Sequence, residues 1–139
     1  MKLEKMMTRD VEKVSPDDSL EVAARKMRDR NIGLLPVVDG RRIVGVISDR
    51  DITVRGIAGG MDPRTTPVRD LATSEVIWCY HDEEVEKAAQ LMQDYQIRRM
   101  VILNRENQTL AGMVSLGDLT SHTKSAKVGE ILERVSAHH

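Results

Sequence analysis

The chain has 139 residues, of which 31% are charged and 40% hydrophobic, and its formal net charge is −1. This balance is typical of a soluble globular protein, and it provides no global basic field for a nucleic-acid backbone. No apolar run approaches the roughly 20 residues of a membrane-spanning helix, the N-terminus lacks the apolar region of a signal peptide, and Cys79 has no disulfide partner in the chain. We therefore expect a cytoplasmic protein that binds neither DNA or RNA nor a membrane.

The first half of the chain predicts a strand, a helix, two strands and a second helix, in that order. The first strand is VEKVS (11–15), and the helix spans 16–31, with acidic residues at its start and an apolar face at helical spacing. Two β-prone runs follow, IGLLPVVD (32–39) and RIVGVIS (42–48), joined by a turn at Asp39-Gly40. The second helix begins after Ser48.

The second half of the chain repeats this order. A strand VIWCY (76–80), a helix over 81–96, and strands IRRMVILN (97–104) and LAGMVS (110–115) precede another helix. A shift of 65 positions superposes Thr8 on Thr73 and Asp17 on Asp82, and after Asn104 the shift becomes 67. The two extra residues fall in a polar turn, where insertions cost little. The chain is therefore an internal duplication.

The duplication predicts the domain organisation. We assign 1–60 to the first repeat with its lead-in, 61–67 to a linker, 68–124 to the second repeat, and 125–139 to a C-terminal helix. The apolar stripe of that helix fits either a core or a surface for another subunit; it comprises Val128, Ile131, Leu132 and Val135. The fold class is α/β (α+β), with tandem β-α-β-β-α repeats packed sheet to sheet across a pseudo-two-fold axis.

Two segments carry a family resemblance. IGLLPVVDG running into GVISDRDI, and QIRRMVIL running into GMVSLGDL, resemble a pair of CBS domains, the cystathionine-β-synthase type of regulatory module also called a Bateman module. The segment SDRDITVRGIAGGMDP is similar to stand-alone bacterial and archaeal CBS pairs, including those of the hypoxic-response type. The resemblance covers about residues 6–120. It implies a non-catalytic module that binds an adenosine-containing ligand in clefts between the two sheets and forms a homodimer.

The Ser-x-x-Asp motif, which ends each copy, has two interpretations. Ser48 and Ser115 suit helix caps, but Asp51 and Asp118 suit a capping box less well, because that motif prefers the longer Glu or Gln. In the functional interpretation, a carboxylate in the first helical turn accepts both hydroxyls of a ribose, and the helix N-terminus faces a phosphate. The resemblance implies the second role, with the aspartates on ribose and the serines near phosphate.

Two arginines distinguish the repeats. Arg98 and Arg99 stand where the first repeat has Gly33 and Leu34, so the two clefts cannot be chemically equivalent. A guanidinium suits phosphate because it donates two parallel charge-assisted hydrogen bonds. Adjacent strand residues point to opposite faces, so only one of the arginines should enter a given cleft directly. The alternative role is a solvated or ion-paired arginine, and Arg50 is a weaker phosphate candidate.

The place predicted for the base is an apolar wall beside a backbone that a ligand can approach closely. Gly33 allows that approach, and aliphatic neighbours provide the wall. The candidate residues are Ile32, Gly33, Leu34 and Pro36 in the first repeat, and Ile97 and Met100 in the second. These positions are also ordinary core positions, so most of their burial has a structural explanation.

No catalytic or metal-binding pattern is present in the sequence. Cys79 lies in an apolar strand, where an inert thiol is expected, and His81 and His122 lack metal-ligand spacing. We therefore predict a sensor of AMP, ADP or ATP that needs no cofactor, is not an enzyme, and is read by an unidentified protein partner. NAD and S-adenosylmethionine remain open as ligands, and a ligand-free dimerisation scaffold is the alternative.

Overall fold

The computed structural model describes residues 1–122 and 133–135. It divides the chain into two compact units, one formed by Glu12–Val76 and the other by Met1–Val11 together with the chain from Ile77 onward. The first unit contains a two-stranded sheet and the second a three-stranded sheet, each accompanied by helices. The predicted mixed α/β class is therefore confirmed. The predicted C-terminal stripe lies outside the described residues, except for the buried Val135.

The Glu12–Val76 unit is built around one antiparallel hairpin. Helix α1 (Leu20–Arg30) is followed by strands β1 (Leu34–Asp39) and β2 (Arg42–Ser48), a π-helical segment (Asp51–Ile57) and a 3₁₀ helix (Val68–Asp70). The buried core unites α1, both strands and the later helical segments. Its members are Val14, Leu20, Ala23, Met27, Leu35, Val37, Ile47, Ile52, Val68 and Leu71.

The other unit repeats this arrangement with one more strand. Its elements are a 3₁₀ helix (Leu3–Lys5), strand β3 (Trp78–Tyr80), helix α2 (Val85–Tyr95), strands β4 (Arg99–Leu103) and β5 (Leu110–Ser115), and helix α3 (Leu116–His122). Strand β4 pairs in parallel with β3 and antiparallel with β5. The core includes Leu3, Met6, Met7, Cys79, Val85, Ala88, Ala89, Met92, Met100, Ile102, Val114, Leu116, Leu119 and Val135.

The two long helices begin later than the sequence pattern predicts. The hydroxyl oxygen of Ser19 accepts a hydrogen bond from the Val22 N–H at 3.2 Å, so α1 begins at Leu20 and the acidic residues before Ser19 lie outside it. At their other ends, Asn31 and Gln96 both adopt the left-handed conformation, with φ of 53°. That conformation cannot continue an α-helix, and so it terminates each one.

The predicted strand VEKVS is reduced to a single bridge. Val14 pairs in parallel with Val37. In the second repeat the equivalent pair is Cys79 of β3 with Ile102 of β4. Directly after Val14, the Ser15 N–H donates to the Asp18 carboxylate at 2.9 Å. This turn takes the chain away from the sheet, and it leaves one paired residue where the second repeat has three.

Each unit contains a short lead-in segment from outside its own repeat. The lead-in before the first repeat lies in the unit of the second, and the lead-in before the second repeat lies in the unit of the first. The Leu3 N–H donates to the Glu83 carbonyl at 2.9 Å, and the equivalent Val68 N–H donates to the Asp18 carbonyl at 2.8 Å. Both Leu3 and Val68 are fully buried. The compact units therefore group the chain differently from the sequence repeats, because the N-terminal lead-in lies with the second repeat and the residues from 68 to 76 lie with the first.

One glycine in each hairpin accommodates these lead-in segments. A Cβ atom on Gly45 would lie 2.7 Å from the Thr73 carbonyl oxygen, and one on Gly112 would lie 2.6 Å from the Thr8 carbonyl oxygen. Thr8 and Thr73 each form a bridge to the residue after the facing glycine. The glycine repeated in GVISDRDI and GMVSLGDL is thus explained by close backbone contact.

An ion pair fastens the N-terminal lead-in to its unit. His81 Nδ1 lies 2.7 Å from Glu4 Oε2, and the Glu4 N–H donates to the His81 carbonyl oxygen at 2.9 Å. The hydrogen bond to Glu4 raises the pKa of His81 above its ordinary value, while the same bond lowers the pKa of Glu4. The pair is therefore stabilised in its charged form.

We expect the contribution of this pair to fade in mild alkali. Because the folded pKa of His81 is raised, its stabilisation is complete below the unfolded value of 6.5 and is lost as the pH rises through the folded value. The advantage of the wild type over Glu4→Gln in free energy of unfolding should therefore shrink between about pH 6 and about pH 9. Urea titrations at each pH measure it, and an advantage that grows with pH would contradict the assignment.

Candidate functional site

Both Ser-x-x-Asp motifs form reciprocal caps at a strand-to-helix junction. The Ser48 N–H donates to Asp51 Oδ2 at 2.9 Å, and the Asp51 N–H donates to Ser48 Oγ at 3.0 Å. Ser115 and Asp118 repeat both bonds at the same two distances. The expectation that a cap explains the aspartate poorly is therefore wrong, because the shorter carboxylate reaches the serine nitrogen in both copies.

The cap uses the same oxygen of each carboxylate. Only Oδ2 accepts from the serine nitrogen, while Oδ1 of Asp51 lies 3.7 Å from a guanidinium nitrogen of Arg55. Asp51 and Asp118 are both partly exposed. A carboxylate held by its cap in this way has a fixed orientation, which is what recognition of a ligand hydroxyl requires.

The strand register brings the predicted phosphate residues of the second repeat together. Arg99 is directly opposite Ser115 across the β4–β5 pair, as Leu34 is opposite Ser48 across β1–β2. Directly opposed residues of an antiparallel pair project from the same face of the sheet. Arg99 and Ser115 therefore share one face, and Arg98 joins the same junction through its carbonyl oxygen, which accepts the Leu116 N–H at 2.8 Å.

The arginine side chains have no charged partner within residues 1–122 and 133–135. Arg98 and Arg99 are both exposed, and neither guanidinium forms a hydrogen bond or ion pair with that part of the chain. Arg50 is also exposed, and its N–H donates to Asp49 Oδ1 at 2.8 Å. Unpaired guanidinium groups at a fixed backbone position suit the binding of an anion.

The predicted apolar wall is placed only in part. Ile32 and Ile97 are partly buried and pack against the two cores, and Leu34 is partly exposed on the face that carries Ser48. Pro36 is buried. These positions leave a small apolar surface beside each junction.

Met100 is a core residue and not part of a ligand wall. It is 1% exposed, lies in the core of its unit and pairs with Val114. Strand alternation accounts for this, because Met100 and its neighbour Arg99 project to opposite faces. In the 65-position alignment of the repeats, the equivalent of Pro36 is Val101 and not Met100. Val101 is also only 1% exposed, so it offers no ligand wall either.

Asp49 is a candidate residue that the sequence patterns missed. Its N–H donates to the Gly33 carbonyl oxygen at 2.9 Å, and a Cβ atom on Gly33 would lie only 2.9 Å from Asp49 Oδ2. An exposed carboxylate therefore covers the backbone where close ligand approach was predicted. The sequence signal for Asp49 is a difference between the repeats at a variable position of the Ser-x-x-Asp motif, where the second repeat has Leu116.

A sequence model of the CBS domain matches residues 3–55 and 68–125. The chain belongs to the CBS-domain family. The resemblance inferred from the two Ser-x-x-Asp segments is thereby confirmed, and the two matched stretches make this protein a CBS pair.

This CBS pair matches several known proteins over most of both chains. It is 37% identical over 131 residues to the CBS domain-containing protein YhcV of Bacillus subtilis, covering 94% of this chain and 91% of that protein. The crystal structure of Hypoxic Response Protein I with two coordinated zinc ions matches with a TM-score of 0.81 at 29% identity, covering 88% and 99% of the two chains. The CBS domain protein PAE2072 from Pyrobaculum aerophilum, complexed with AMP, matches with a TM-score of 0.80 at 25% identity, covering 96% and 99%.

The cysteine of the CBS pair is placed for packing. Cys79 is fully buried in β3, and burial, together with the nearby Glu83, raises the pKa of its thiol to about 12. A thiol in this state is protonated at neutral pH, and only the thiolate is a strong nucleophile. Cys79 is therefore a protonated, buried thiol at neutral pH.

The described part of the chain holds neither a metal-binding cluster nor a membrane-spanning helix. Within 1–122 and 133–135, no group of three or more His, Cys, Asp or Glu side chains is arranged to hold a metal ion. None of the helices in the same ranges is both long and apolar enough to cross a bilayer.

Proposed function

We propose that this CBS pair is a non-catalytic regulatory module that binds an adenosine-containing ligand such as AMP, ADP or ATP. The observation that carries the proposal is the second junction, where the capped Asp118, Ser115 and the exposed Arg99 lie together at one end of the β4–β5 pair. The AMP complex of PAE2072, a relative matched over nearly its whole length, supports the same ligand class.

Each part of the ligand has a proposed partner. The Asp118 carboxylate, held in place by its cap, accepts ribose hydroxyls, and Asp51 does the same in the first repeat. Arg99 donates to phosphate from the face that carries Ser115, with Arg98, Ser48 and Arg50 as further phosphate contacts. The base lies against Ile97 or Ile32, whose exposed parts are apolar.

Ligand binding alone does not send a signal. The nucleotide must bind one conformation of the protein, or of its homodimer, better than another, because a ligand with equal affinity for both shifts nothing. We propose that an unidentified protein partner in the cytoplasm reads this change in conformation or dimer interface.

Two substitutions at Asp118 separate its capping role from its ligand role. Asp118→Asn keeps an oxygen that can accept the Ser115 N–H but loses the charge, whereas Asp118→Ala loses both. We expect both variants to bind AMP at least about tenfold more weakly, equivalent to about 1.4 kcal/mol. Only Asp118→Ala should also lower the free energy of unfolding by about 1 kcal/mol.

Calorimetric titration with AMP and urea unfolding measure the two effects. Glu133→Gln, a substitution of an exposed acidic residue elsewhere in the chain, provides a matched loss of charge and should alter neither quantity appreciably. Unchanged AMP affinity in Asp118→Asn would refute the ribose role.

A ligand-free interaction or dimerisation scaffold is a second candidate, and the reciprocal caps favour it. They explain why Ser and Asp occur together in both copies without any ligand. Thermal melting with AMP, ADP, ATP, NAD and S-adenosylmethionine discriminates between the two functions. A ligand at 100-fold excess over its Kd should add about 2.7 kcal/mol to stability, whereas a scaffold gives no shift with any of the five.

A further inference from the structure

The two junctions present the same backbone with opposite charge. We name them the first surface and the second surface. The first surface comprises Gly33, Leu34, Ser48, Asp49, Arg50 and Asp51, and the second comprises Arg98, Arg99, Ser115, Leu116, Gly117 and Asp118. We propose, on the basis of the function proposed above, that the second surface binds a phosphorylated nucleotide and the first binds a nucleoside that lacks phosphate. The phosphate contacts are then those of the second surface, and Ser48 and Arg50 contact no phosphate.

The backbone equivalence of the two surfaces is close. The Asp49 N–H donates to the Gly33 carbonyl oxygen at 2.9 Å, and the Leu116 N–H donates to the Arg98 carbonyl oxygen at 2.8 Å. Both reciprocal caps have bonds of 2.9 and 3.0 Å. A sugar can therefore meet the same carboxylate geometry in both places, and the difference in ligand must come from the other side chains.

The side chains reverse the charge between the surfaces. The first surface has two aspartates and one arginine, whereas the second has two arginines and one aspartate. At the strand position opposite the serine, the first surface has the partly exposed Leu34 and the second has Arg99. A phosphate beside Leu34 gains no hydrogen bond from that side chain, whereas beside Arg99 it can gain two.

Asp49 is the residue that excludes phosphate from the first surface. Its carboxylate oxygen lies 2.9 Å from the Cβ position of Gly33, so an anion that approaches this backbone meets a like charge. Repulsion of the wrong ligand contributes to specificity as much as attraction of the right one. A neutral nucleoside meets no such penalty, and it still has the Asp51 carboxylate for its ribose.

The test exchanges the distinguishing residues between the surfaces and titrates the full chain with adenosine and with ATP. Arg99→Leu introduces the residue of the first surface, and Asp49→Leu introduces that of the second. We expect Arg99→Leu to weaken ATP binding at least about tenfold and adenosine binding less than about twofold. Asp49→Leu should strengthen ATP binding to the first surface severalfold and leave adenosine affinity nearly unchanged.

Arg42→Leu is the matched control for the loss of an exposed arginine, since Arg42 lies in β2 at the end of the first hairpin that is far from Ser48. In the wild type saturated with ATP, adenosine should still bind at about one equivalent per chain, because it occupies the other surface. Competition for a single site, or equal changes in both affinities for each variant, would overturn the inference and leave the proposed function intact. If the wild type binds neither ligand, the proposed function itself fails.

Discussion

Leu3→Ala should lower the free energy of unfolding by about 2–5 kcal/mol, the largest effect that we expect from one substitution at the N-terminus. The Leu3 side chain is fully buried in the core that also contains Val85 and Met92, and its N–H is bonded to the Glu83 carbonyl oxygen. The substitution leaves a cavity in the unit formed by the second repeat, although Leu3 precedes the first. Urea unfolding followed by the fluorescence of Trp78, the only tryptophan of the chain, measures the loss.

Lys5→Ala is the matched control for Leu3. Lys5 belongs to the same 3₁₀ helix but is exposed, so its replacement should change stability by less than about 0.5 kcal/mol. Equal stability of Leu3→Ala and Lys5→Ala would show that the lead-in is not part of this core.

Gly112→Ala should lower the free energy of unfolding by about 1–3 kcal/mol, although replacement of glycine by alanine within a strand or helix normally stabilises the fold. The added methyl group would lie 2.6 Å from the Thr8 carbonyl oxygen and 3.0 Å from the Met7 sulfur. Two backbone hydrogen bonds between Thr8 and Met113, of 2.8 and 3.0 Å, hold the lead-in at this distance. Relief of the overlap therefore requires the loss or distortion of those bonds.

Gly117→Ala makes the same change of residue, and we expect the opposite effect on stability. Gly117 lies in α3, its φ is not positive, and the nearest atom to its added methyl group is Ser115 Oγ at 3.6 Å. Stability should rise by about 0.5–1 kcal/mol, because alanine loses less backbone entropy on folding. Thermal melting compares the two variants, and a stabilised Gly112→Ala would disprove the close contact.

The duplication predicted most of the fold because both copies obey the same periodicity. The apolar spacing of Leu20, Ala23 and Met27 identified α1, and the same spacing identified α2. The exchange of lead-in segments escaped prediction for a physical reason. Periodicity records which face of a segment is buried, and it does not record which of two similar cores buries it.

The candidate site was predicted in outline but not in detail. The motif placed Ser48, Asp51, Ser115 and Asp118 correctly at strand-to-helix junctions, and the register brought Arg99 beside Ser115. Met100 was misplaced because strand alternation, counted from Arg99, sends it into the core. Asp49 was overlooked because its effect depends on a distance to Gly33 that no sequence pattern gives.

A crystal structure of the full chain grown with AMP tests the central claim most directly. We predict that the ribose hydroxyls lie within hydrogen-bond distance of the Asp118 carboxylate, and that the phosphate contacts the Arg99 guanidinium. AMP bound away from both capped aspartates, or crystals that contain no nucleotide at saturating AMP, would contradict the account.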